Sequence, residues 1–574
     1  AGTCWEKHCD AHLRGVGFEP VSEVWSSCYY HHGLKLFLVV YVDDFKLAGP
    51  SGNVEKGWDL IKKGLKLEPP TGLGTFLGCR HHQREVTLAD GSKVKLMEQE
   101  MHQFMRSCIK RYEELAPSIR WREVDTPFLP EDQATAPSGR PVADCKDVGG
   151  IAECGWCRHT FPAGEFRVYH DEQSLEKARK QRKMLIAESE VKAKTEDEKD
   201  KGRLAPVAAS IVMKILYGAR FVRMDLLRIV GFLACSFTRW TTLCDKRLHR
   251  LVCYINCTLS ASQCGWVGDP LHELYPVLYA DADFAGCIHT QRSTTGVFLV
   301  IRGPRTCWPV LGFSKRQGCV STSTPEAEMV AAFHAMRVVG LPGLELWQLL
   351  LPHCPRMRCF EDNQAMLQCV RSGRNPTMRH LSRTHRMSVA WMHEQYKSDN
   401  FTFAHESGER MPPDIFTKMF ADREKWRKAR HLINVVLPEE LEGILQLNQD
   451  IFQGILEKPA LTAVRKTISG DAKPREELSE RSEVRAEPGQ GSPKPGDADG
   501  HKRTSPDGGS ATKSVTVSGG LRLPSKADVA DEVDGPGLVA TFTAKSAIKT
   551  DILDEAEVKK VAFMLSGAWF GLTG

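Results

Sequence analysis

Between residues 275 and 435, short apolar runs alternate with helical patterns, and acidic residues stand where several of these elements end. The run "VLYADADFAG" (277–286) ends in two aspartates, and "MRCFEDNQAMLQCVRSG" (357–373) indicates a strand, an acidic corner and a helix. Residues 321–339 begin with a Ser/Thr cap, a proline and an acid in the first turn, which predicts a helix start. Residues 401–420 indicate a strand, a polar loop and another helix. This order predicts an α/β unit whose carboxylates can converge on one side of a sheet.

Two of these acidic positions leave a choice between residues two apart. Asp281 and Asp283 both stand at the strand end, where an acid is also common as a simple turn residue. Glu326 and Glu328 point about 200° apart on a helix, so at most one of them faces a site on the sheet. Glu328 shares its face with small alanines that suit packing on a sheet, whereas Glu326 can simply complement the helix dipole. The pattern therefore favours Glu328.

The remaining acids complete a set that is suited to hard cations. Glu361 and Asp362 are adjacent at a strand end, and Asp414 lies in a first helical turn, where dipole stabilisation is the alternative role. Carboxylates gathered at one point repel each other unless cations neutralise them. Oxygen ligands without Cys or His favour Mg²⁺ or Mn²⁺ over Zn²⁺. Two such ions about 4 Å apart activate a water and stabilise a leaving oxygen in phosphodiester cleavage.

Five segments in this order, "YADADFAG", "SKRQGCVSTSTPEAE", "EDNQA", "RTHR" and "DIFTK", resemble the RNase H signature of copia-type LTR retrotransposon Pol polyproteins. The resemblance covers about residues 275–420 and extends with lower fidelity to "YVDD", "LGCR" and a helical stretch at about 205–260. It implies an RNase H-like fold, a mixed sheet with flanking helices. It also implies an enzyme that uses two Mg²⁺ (or Mn²⁺) ions to hydrolyse the RNA strand of an RNA–DNA hybrid. The implied catalytic and metal-binding acids are Asp281, Glu328, Asp362 and Asp414. Only the resemblance prefers Asp281 over Asp283.

The same resemblance assigns roles to these side chains. It implies that Asp281 and Asp362 bind or bridge the ions, that Glu328 orients the water side, and that Asp414 completes the second ion site. His405, in the polar loop before Asp414, resembles a mobile histidine that some RNases H use near product release. The alternative for His405 is an ordinary surface histidine.

The stretch "LKLFLVVYVDDFKLAG" (34–49) predicts a strand at 34–42, a tight turn and a strand at 45–48. Asp43 and Asp44 then occupy a hairpin tip, which by itself is commonly a solvated turn. The resemblance to reverse transcriptases implies that both aspartates face a polymerase metal site in the palm.

A polymerase site of this kind needs a third aspartate from an earlier strand. Only about 40 residues precede Asp43, and Asp10 among them lies in the helical stretch "KHCDAHLRGVGF", which does not match the first acidic motif of the family. We therefore expect the chain to begin after the segment with that motif, and the polymerase domain to be incomplete. The alternative function is a catalytically inactive retroelement remnant or a nucleic-acid-binding module.

A basic stretch lies between the third and fourth acidic motifs. Arg379, Arg383 and Arg386 follow i, i+4, i+7 spacing, which places them on one face of a predicted helix. Such a stripe beside an acidic corner suits a phosphate backbone, and the alternative is a solvated helix face. Lys315 and Arg316 after the third strand are further candidates. An A-form-like hybrid would be recognised by shape and by its sugar–phosphate groups.

The pattern along the whole chain predicts an α/β multidomain organisation. Its tail, between about 458 and 535, is rich in Pro, Gly, Ser, Lys and Glu without periodicity, which predicts disorder. The predicted segments are a truncated reverse-transcriptase palm and thumb-like region (α+β) at 1–125, a linker and charged insert at 126–203, a helical connection at 204–262, the RNase H-like domain at 272–435, and a mostly disordered C-terminal extension at 436–574.

Composition bears on the compartment and the partners. There is no signal-peptide pattern, and uninterrupted apolar runs such as Phe37–Val42 are too short to span a bilayer. The 19 cysteines are scattered, mostly in apolar segments, which favours a reducing compartment. We therefore expect no secretion and no membrane, with location in cytoplasmic virus-like particles and/or the nucleus. The expected partners are an RNA–DNA hybrid and other parts of a retroelement polyprotein.

Cys154 and Cys157 form a Cys-x-x-Cys pair, with Cys145, His159 and His170 nearby. This is partial zinc spacing, because no second Cys-x-x-Cys follows. Loop cysteines in a divergent insert are the alternative.

Overall fold

The computed structural model describes residues 2–25, 27–116, 118–130, 201–287, 290–350, 356–446 and five short strands within 146–162 and 543–549. The possible zinc ligands Cys154 and Cys157, most of the predicted insert, and the predicted disorder at about 458–535 lie outside the described residues.

Strands and helices alternate along these ranges. The strands are β1 (Glu19–Pro20), β2 (Cys28–His31), β3 (Leu36–Tyr41), β4 (Asp44–Ala48), β5 (Lys66–Leu67), β6 (Thr75–Phe76), β7 (Cys79–Thr87), β8 (Lys93–Glu100), β9 (Lys146–Val148), β10 (Ile151–Glu153), β11 (Thr160–Pro162), β12 (Ser262–Val267), β13 (Tyr275–Asp283), β14 (Thr294–Gly303), β15 (Thr306–Arg316), β16 (Met357–Glu361), β17 (Phe401–His405), β18 (Val435–Val436), β19 (Thr543–Ala544) and β20 (Ser546–Lys549). The helices are α1 (Gly2–Gly15), α2 (Ser51–Lys62), α3 (His102–Leu115), α4 (Ala208–Phe221), α5 (Leu227–Ala234), α6 (Thr242–Cys257), α7 (Thr324–Ala335), α8 (Leu341–Leu350), α9 (Gln364–Ser372), α10 (Leu381–Thr384), α11 (Val389–Lys397), α12 (Asp414–Thr417) and α13 (Arg423–Leu432).

A ten-stranded mixed sheet forms the centre of the fold. Nine strands follow the order β17-β16-β13-β14-β15-β12-β8-β7-β6, and β18 pairs with β12 beside this path. β13, β16 and β17 are parallel to one another. The pairs are antiparallel along the rest of the path, which runs from β13 through β14, β15, β12, β8 and β7 to β6. β8 pairs with β12 over five residues, with Met97 opposite Gly265. The sheet therefore crosses the segment boundaries predicted at residues 125 and 262.

Helices cover both faces of this sheet because residues along its strands alternate between two cores. On β13, Val277 and Tyr279 join the core with α3, α4, α5, α6 and α13, whereas Leu278 and Ala280 join the core with α7, α8, α9 and α11. A period of two is what a strand buried on both faces produces. The predicted helical connection at 204–262 thus supplies α4, α5 and α6 to one face.

A separate small sheet has the order β1-β2-β3-β4-β20. The hairpin predicted at 34–48 is observed as β3 and β4, with Tyr41 opposite Asp44. Val42 and Asp43 form the two-residue turn, and Val42 has a left-handed φ of 51°, as primed hairpin turns require. Trp5 on α1 donates its indole N–H to the Val42 carbonyl at 2.9 Å, which ties helix α1 to the hairpin tip.

One helical stretch, Thr324–Leu350, has the length and composition of a membrane-spanning helix. It comprises α7, a π-helical turn at Met336–Gly340 and α8. Polar residues interrupt its sequence, so the stretch contains no uninterrupted apolar run long enough to span a bilayer. Within the described residues, 56% of its apolar window is buried inside the protein, as is usual for a core helix.

Candidate carboxylate site

Three carboxylates meet where β13 and β16 end. Asp281, Glu328 and Asp362 each offer one oxygen, and these three oxygens lie within 4.8 Å of one another. In the part of the chain that the structure describes, no other group of three acidic, His or Cys side chains meets this criterion. Asp281 and Glu328 are buried, and Asp362 is half-buried.

Strand pairing and small side chains bring these acids together. β13 and β16 run parallel with Tyr279 opposite Phe360, so both strands deliver their next acids at the same edge. Helix α7 packs on β13 through a small cluster of Ala282, Ala327 and Ala331. Because alanine allows a close approach, Glu328 on this helix reaches the strand ends.

Burial and mutual repulsion disfavour the ionised form of the carboxylates in this cluster. Burial raises the pKa of Glu328 well above its ordinary range, and the charges of Glu361 and Asp281 raise it further. Burial likewise raises the pKa of Asp281, against the opposing effects of Lys418 and Thr417. Oε2 of Glu328 and Oε2 of Glu361 are buried and accept no hydrogen bond from any described residue. Orphaned carboxylate oxygens beside other acids fit a hard divalent cation.

Glu361 is a buried neighbour of this cluster. Only 2% of its surface is exposed, and burial, followed by the charges of Asp362 and Asp281, raises its pKa well above the ordinary range. The adjacent Asp362 supplies an oxygen to the cluster. The sequence placed both acids at one strand end, but alternation along a strand does not tell which of them reaches the site.

Asp414 lies beside the three acids and is held by a lysine. It begins α12, and its Oδ1 accepts a hydrogen bond from Nζ of Lys418 at 2.6 Å. Burial and then the charge of Asp281 raise the pKa of Asp414 to about 7. Burial lowers the pKa of Lys418, but Asp281 and Asp414 outweigh this effect and raise it. Lys418 was not singled out as a site residue, although it ends the "DIFTK" segment.

Asp283 has a structural role. It forms an ion pair with Nη2 of Arg228 at 3.0 Å and accepts the backbone N–H of Thr294. Burial raises its pKa to about 7 in spite of these contacts. Nε of Arg228 also donates to the carbonyl of Thr417 at 2.7 Å, so this pair joins α5 and α12 to the end of β13.

Glu326 points away from the cluster, as its angular separation from Glu328 requires. Its Oε2 accepts the backbone N–H of Thr322 at 3.0 Å and also the hydroxyl of Thr322. Its Oε1 accepts Nε2 of His380 at 3.1 Å, and Nε2 of His385 lies 3.2 Å from the same oxygen. Burial raises the pKa of Glu326, but the bonds from Thr322 and His380 outweigh burial and lower it.

The predicted arginine stripe on a single helix is wrong. Arg379 follows a 3₁₀ turn at Pro376–Met378, α10 spans only four residues, and Arg386 has a left-handed φ of 54° that breaks the helix. Arg379, Arg383 and Arg386 are all exposed and form no ion pair with any residue that the structure describes. They remain close in sequence but project from an irregular loop.

The other predicted contact residues lie on the same sheet as the cluster. Lys315 is exposed and Arg316 half-buried at the end of β15, where they pair with Thr295 and Thr294 of β14. His405 ends β17 and is exposed, and its Nε2 lies 3.1 Å from the carbonyl of Asp362. The His405 ring thus contacts the backbone of a cluster residue.

A retrotransposon protein is similar to this chain. The chain is 26% identical over 239 residues to the Retrovirus-related Pol polyprotein from transposon TNT 1-94 of Nicotiana tabacum. The chain is thus related to a retrotransposon Pol polyprotein. The match covers 41% of this chain and 17% of the tobacco protein. No family model matches this Pol-like chain, and no match to a solved structure was found.

The hairpin between β3 and β4 of this Pol-like chain carries two adjacent aspartates. Asp43 and Asp44 are half-buried at the turn between β3 and β4. Among the described residues, no further acid, His or Cys completes a three-ligand group with them. Asp10 bonds instead to Nε of Arg14 at 2.8 Å and to the hydroxyl of Tyr29 at 3.1 Å.

Proposed function

We propose that this chain is a retrotransposon-derived polyprotein segment whose residues 272–435 form an RNase H-like nuclease. The proposed reaction is hydrolysis of the RNA strand in an RNA–DNA hybrid. The observation that carries the proposal is the approach of Asp281, Glu328 and Asp362 to within 4.8 Å, beside Asp414. The buried oxygens of Glu328 and Glu361 that accept no hydrogen bond from a described residue support cation binding at this point.

Each side chain has a part in the proposed reaction. Asp281 and Asp362 would hold the cations between the two strand ends, and Asp414 would complete the second site once Lys418 moves aside. Glu328 would orient the attacking water, since it approaches from the helix on the other side. Two Mg²⁺ (or Mn²⁺) ions supply Lewis-acid activation of water and of the leaving oxygen. Cleavage leaves a 3′-hydroxyl on the RNA.

Exposed cations on the loop that packs against α7 and on the sheet that carries the cluster support a nucleic-acid substrate. Arg379, Arg383, Arg386 and Lys315 offer charge to the sugar–phosphate backbone, with Arg316 beside them. An A-form-like hybrid would be recognised there by its shape and sugar hydroxyls. Residues 1–125 would then be a polymerase-derived region, in which no third acid among the described residues joins Asp43 and Asp44 in a three-ligand group.

Cleavage of a labelled hybrid tests this function. Full-length protein with Mg²⁺ is expected to cut the RNA of an RNA–DNA duplex and to leave a DNA duplex intact. Asp362→Asn is expected to lose at least about 100-fold in kcat. Asp399→Asn is the matched control, since Asp399 has an 89% exposed side chain outside the cluster. An uncut hybrid, or equal rates for the parent and Asp362→Asn, would refute the nuclease.

A second function is favoured by one observation: Arg379, Arg383 and Arg386 are exposed and form no ion pair with any described residue. An inactive remnant that binds nucleic acid would use these charges and would not need the acids. Binding to the hybrid would then weaken with salt but remain the same with or without Mg²⁺ and after Asp281→Ala. Hybrid cleavage that requires Asp281 would exclude this alternative.

A further inference from the structure

Residues 374–388, here called the arginine loop, have two kinds of side chain. Arg379, Arg383 and Arg386 point into solvent, whereas Met378, Leu381 and Met387 are buried in the core shared with α7. The side chain of His385 is also buried, with 2% of its surface exposed. The loop is therefore packed against the protein on one side and exposes its arginines to solvent on the other.

Polar side chains of this loop contact one carboxylate, that of Glu326. Glu326 is 1% exposed, and its Oε1 meets His380 Nε2 at 3.1 Å and His385 Nε2 at 3.2 Å. Only His380 makes a hydrogen bond to this oxygen, whereas His385 contacts it without hydrogen-bond geometry. The other oxygen of Glu326 is held by Thr322. A neighbouring bond joins the same two segments, because Cys319 Sγ donates to the carbonyl of Thr384 at 2.7 Å. Histidines on both sides of α10 thus meet one oxygen at the start of α7.

Helix α7 carries both this attachment and a member of the carboxylate cluster. Glu326 and Glu328 are two positions apart and point in different directions, one to the arginine loop and one to the cluster. A rigid helix between two groups fixes the distance between them. The position of the loop cations is therefore set relative to the cleavage site.

We propose that Glu326 is a positioning residue, which holds the arginine loop through His380 and His385 so that the phosphate backbone of the hybrid lies in register with the carboxylate cluster. This inference rests on the proposed nuclease function. Glu326 touches neither the substrate nor the reacting atoms. Its loss releases the loop and weakens substrate binding without removing a ligand of the cluster.

The first experiment measures the attachment without activity. Limited trypsin digestion of the full chain is expected to cut after Arg379, Arg383 and Arg386 about tenfold faster in Glu326→Ala than in the parent, because local order protects exposed arginines. Glu326→Gln keeps one acceptor oxygen, which can retain the bond to His380 or the bonds from Thr322 but not both, and is expected to restore part of the protection. Glu440→Gln is the control, since Glu440 also contacts an arginine and a histidine, Arg430 at 2.6 Å and His431 at 3.4 Å. Unchanged cutting in Glu326→Ala would overturn the proposal.

The second experiment separates binding from chemistry. With a labelled RNA–DNA hybrid and Mg²⁺, Glu326→Ala is expected to raise KM roughly tenfold and to change kcat by less than about twofold. In EDTA, its Kd for the hybrid is expected to rise by the same factor. A fall in kcat with KM and Kd unchanged would refute the positioning role. If the parent does not cut the hybrid, the nuclease proposal fails, whereas the EDTA binding and trypsin results still decide the role of Glu326.

Discussion

Thr417 donates a hydrogen bond from Oγ1 to Oδ2 of Asp281 and so joins the end of α12 to the end of β13. The next residue, Lys418, bonds to Asp414 at 2.6 Å. Two consecutive side chains thus hold two acids that come from elements more than 130 residues apart. Contacts of this kind would orient the carboxylates for the proposed cations.

Thr417→Val keeps the shape of the side chain and removes the hydroxyl. We expect the affinity for Mg²⁺, measured by titration of hybrid cleavage, to fall about 10- to 100-fold, because the donor that orients Asp281 is lost. The unfolding free energy should fall by about 1 kcal/mol, measured by urea denaturation. Thr417→Ser, which retains the hydroxyl, should restore the Mg²⁺ affinity. If valine and serine behaved alike, the hydroxyl would have no orienting role.

The stability of the metal-free chain should depend on pH. Burial raises the pKa of both Asp414 and Asp283 to about 7, from an ordinary value of 3.8. The folded state therefore binds protons more tightly than the unfolded chain, and this stabilisation is full below about pH 4 and is lost as pH rises through about 7. In EDTA, we expect Tm to fall by several degrees between pH 5 and pH 8.

One variant isolates the contribution of Asp414 to this pH dependence. Asp414→Asn is expected to flatten part of this pH dependence, because it removes one titrating group. Mg²⁺ at pH 8 should restore Tm in the parent and less so in Asp414→Asn. A Tm that rises with pH over this window in EDTA would contradict the assignment.

Arg228→Met tests the structural ion pair. The change leaves Asp283 buried without its guanidinium partner and removes a donor to the Thr417 carbonyl. We expect the unfolding free energy to fall by about 3–5 kcal/mol, measured by urea denaturation. Arg228→Met combined with Asp283→Leu removes both charges and should recover much of the loss. A single variant as stable as the parent would show that the pair is not needed.

The exposed arginines should contribute to salt-dependent binding. Each of Arg379→Gln, Arg383→Gln and Arg386→Gln is expected to reduce the slope of log K against log salt for hybrid binding by about 0.7–0.9. Anisotropy titrations between 50 and 200 mM salt, roughly, give this slope. Arg427→Gln is the control, because Arg427 pairs with Glu424 at 2.8 Å on α13. Equal slopes for all four variants would exclude phosphate contacts by the loop.

Local patterns predicted the elements that carry the acids. The Pro-capped start of α7, the strand and corner at Glu361 and Asp362, and the hairpin at Asp43 are all observed. These depend on capping and on alternation, which act over a few residues. The opposite directions of Glu326 and Glu328 also follow from helical geometry alone.

Long-range pairing and loop geometry were not predictable in the same way. Nothing in residues 75–100 indicates that β8 pairs with β12, because a strand edge does not encode its partner. The arginine stripe failed because Arg386 adopts a left-handed backbone, which spacing cannot reveal. Lys418 and Thr417 gain their importance only once α12 packs beside β13.

The pairing of β8 with β12 and of β12 with β15 also determines how the chain can be divided. A fragment cut at residue 272 would lose β12 and leave the long strand β15 as an open edge with unpaired backbone N–H and C=O groups. A fragment that begins before β6 would retain every strand from β6 to β13, where the carboxylates lie. The smallest piece that folds with all of these strand pairings is therefore larger than the stretch that bears the acidic motifs.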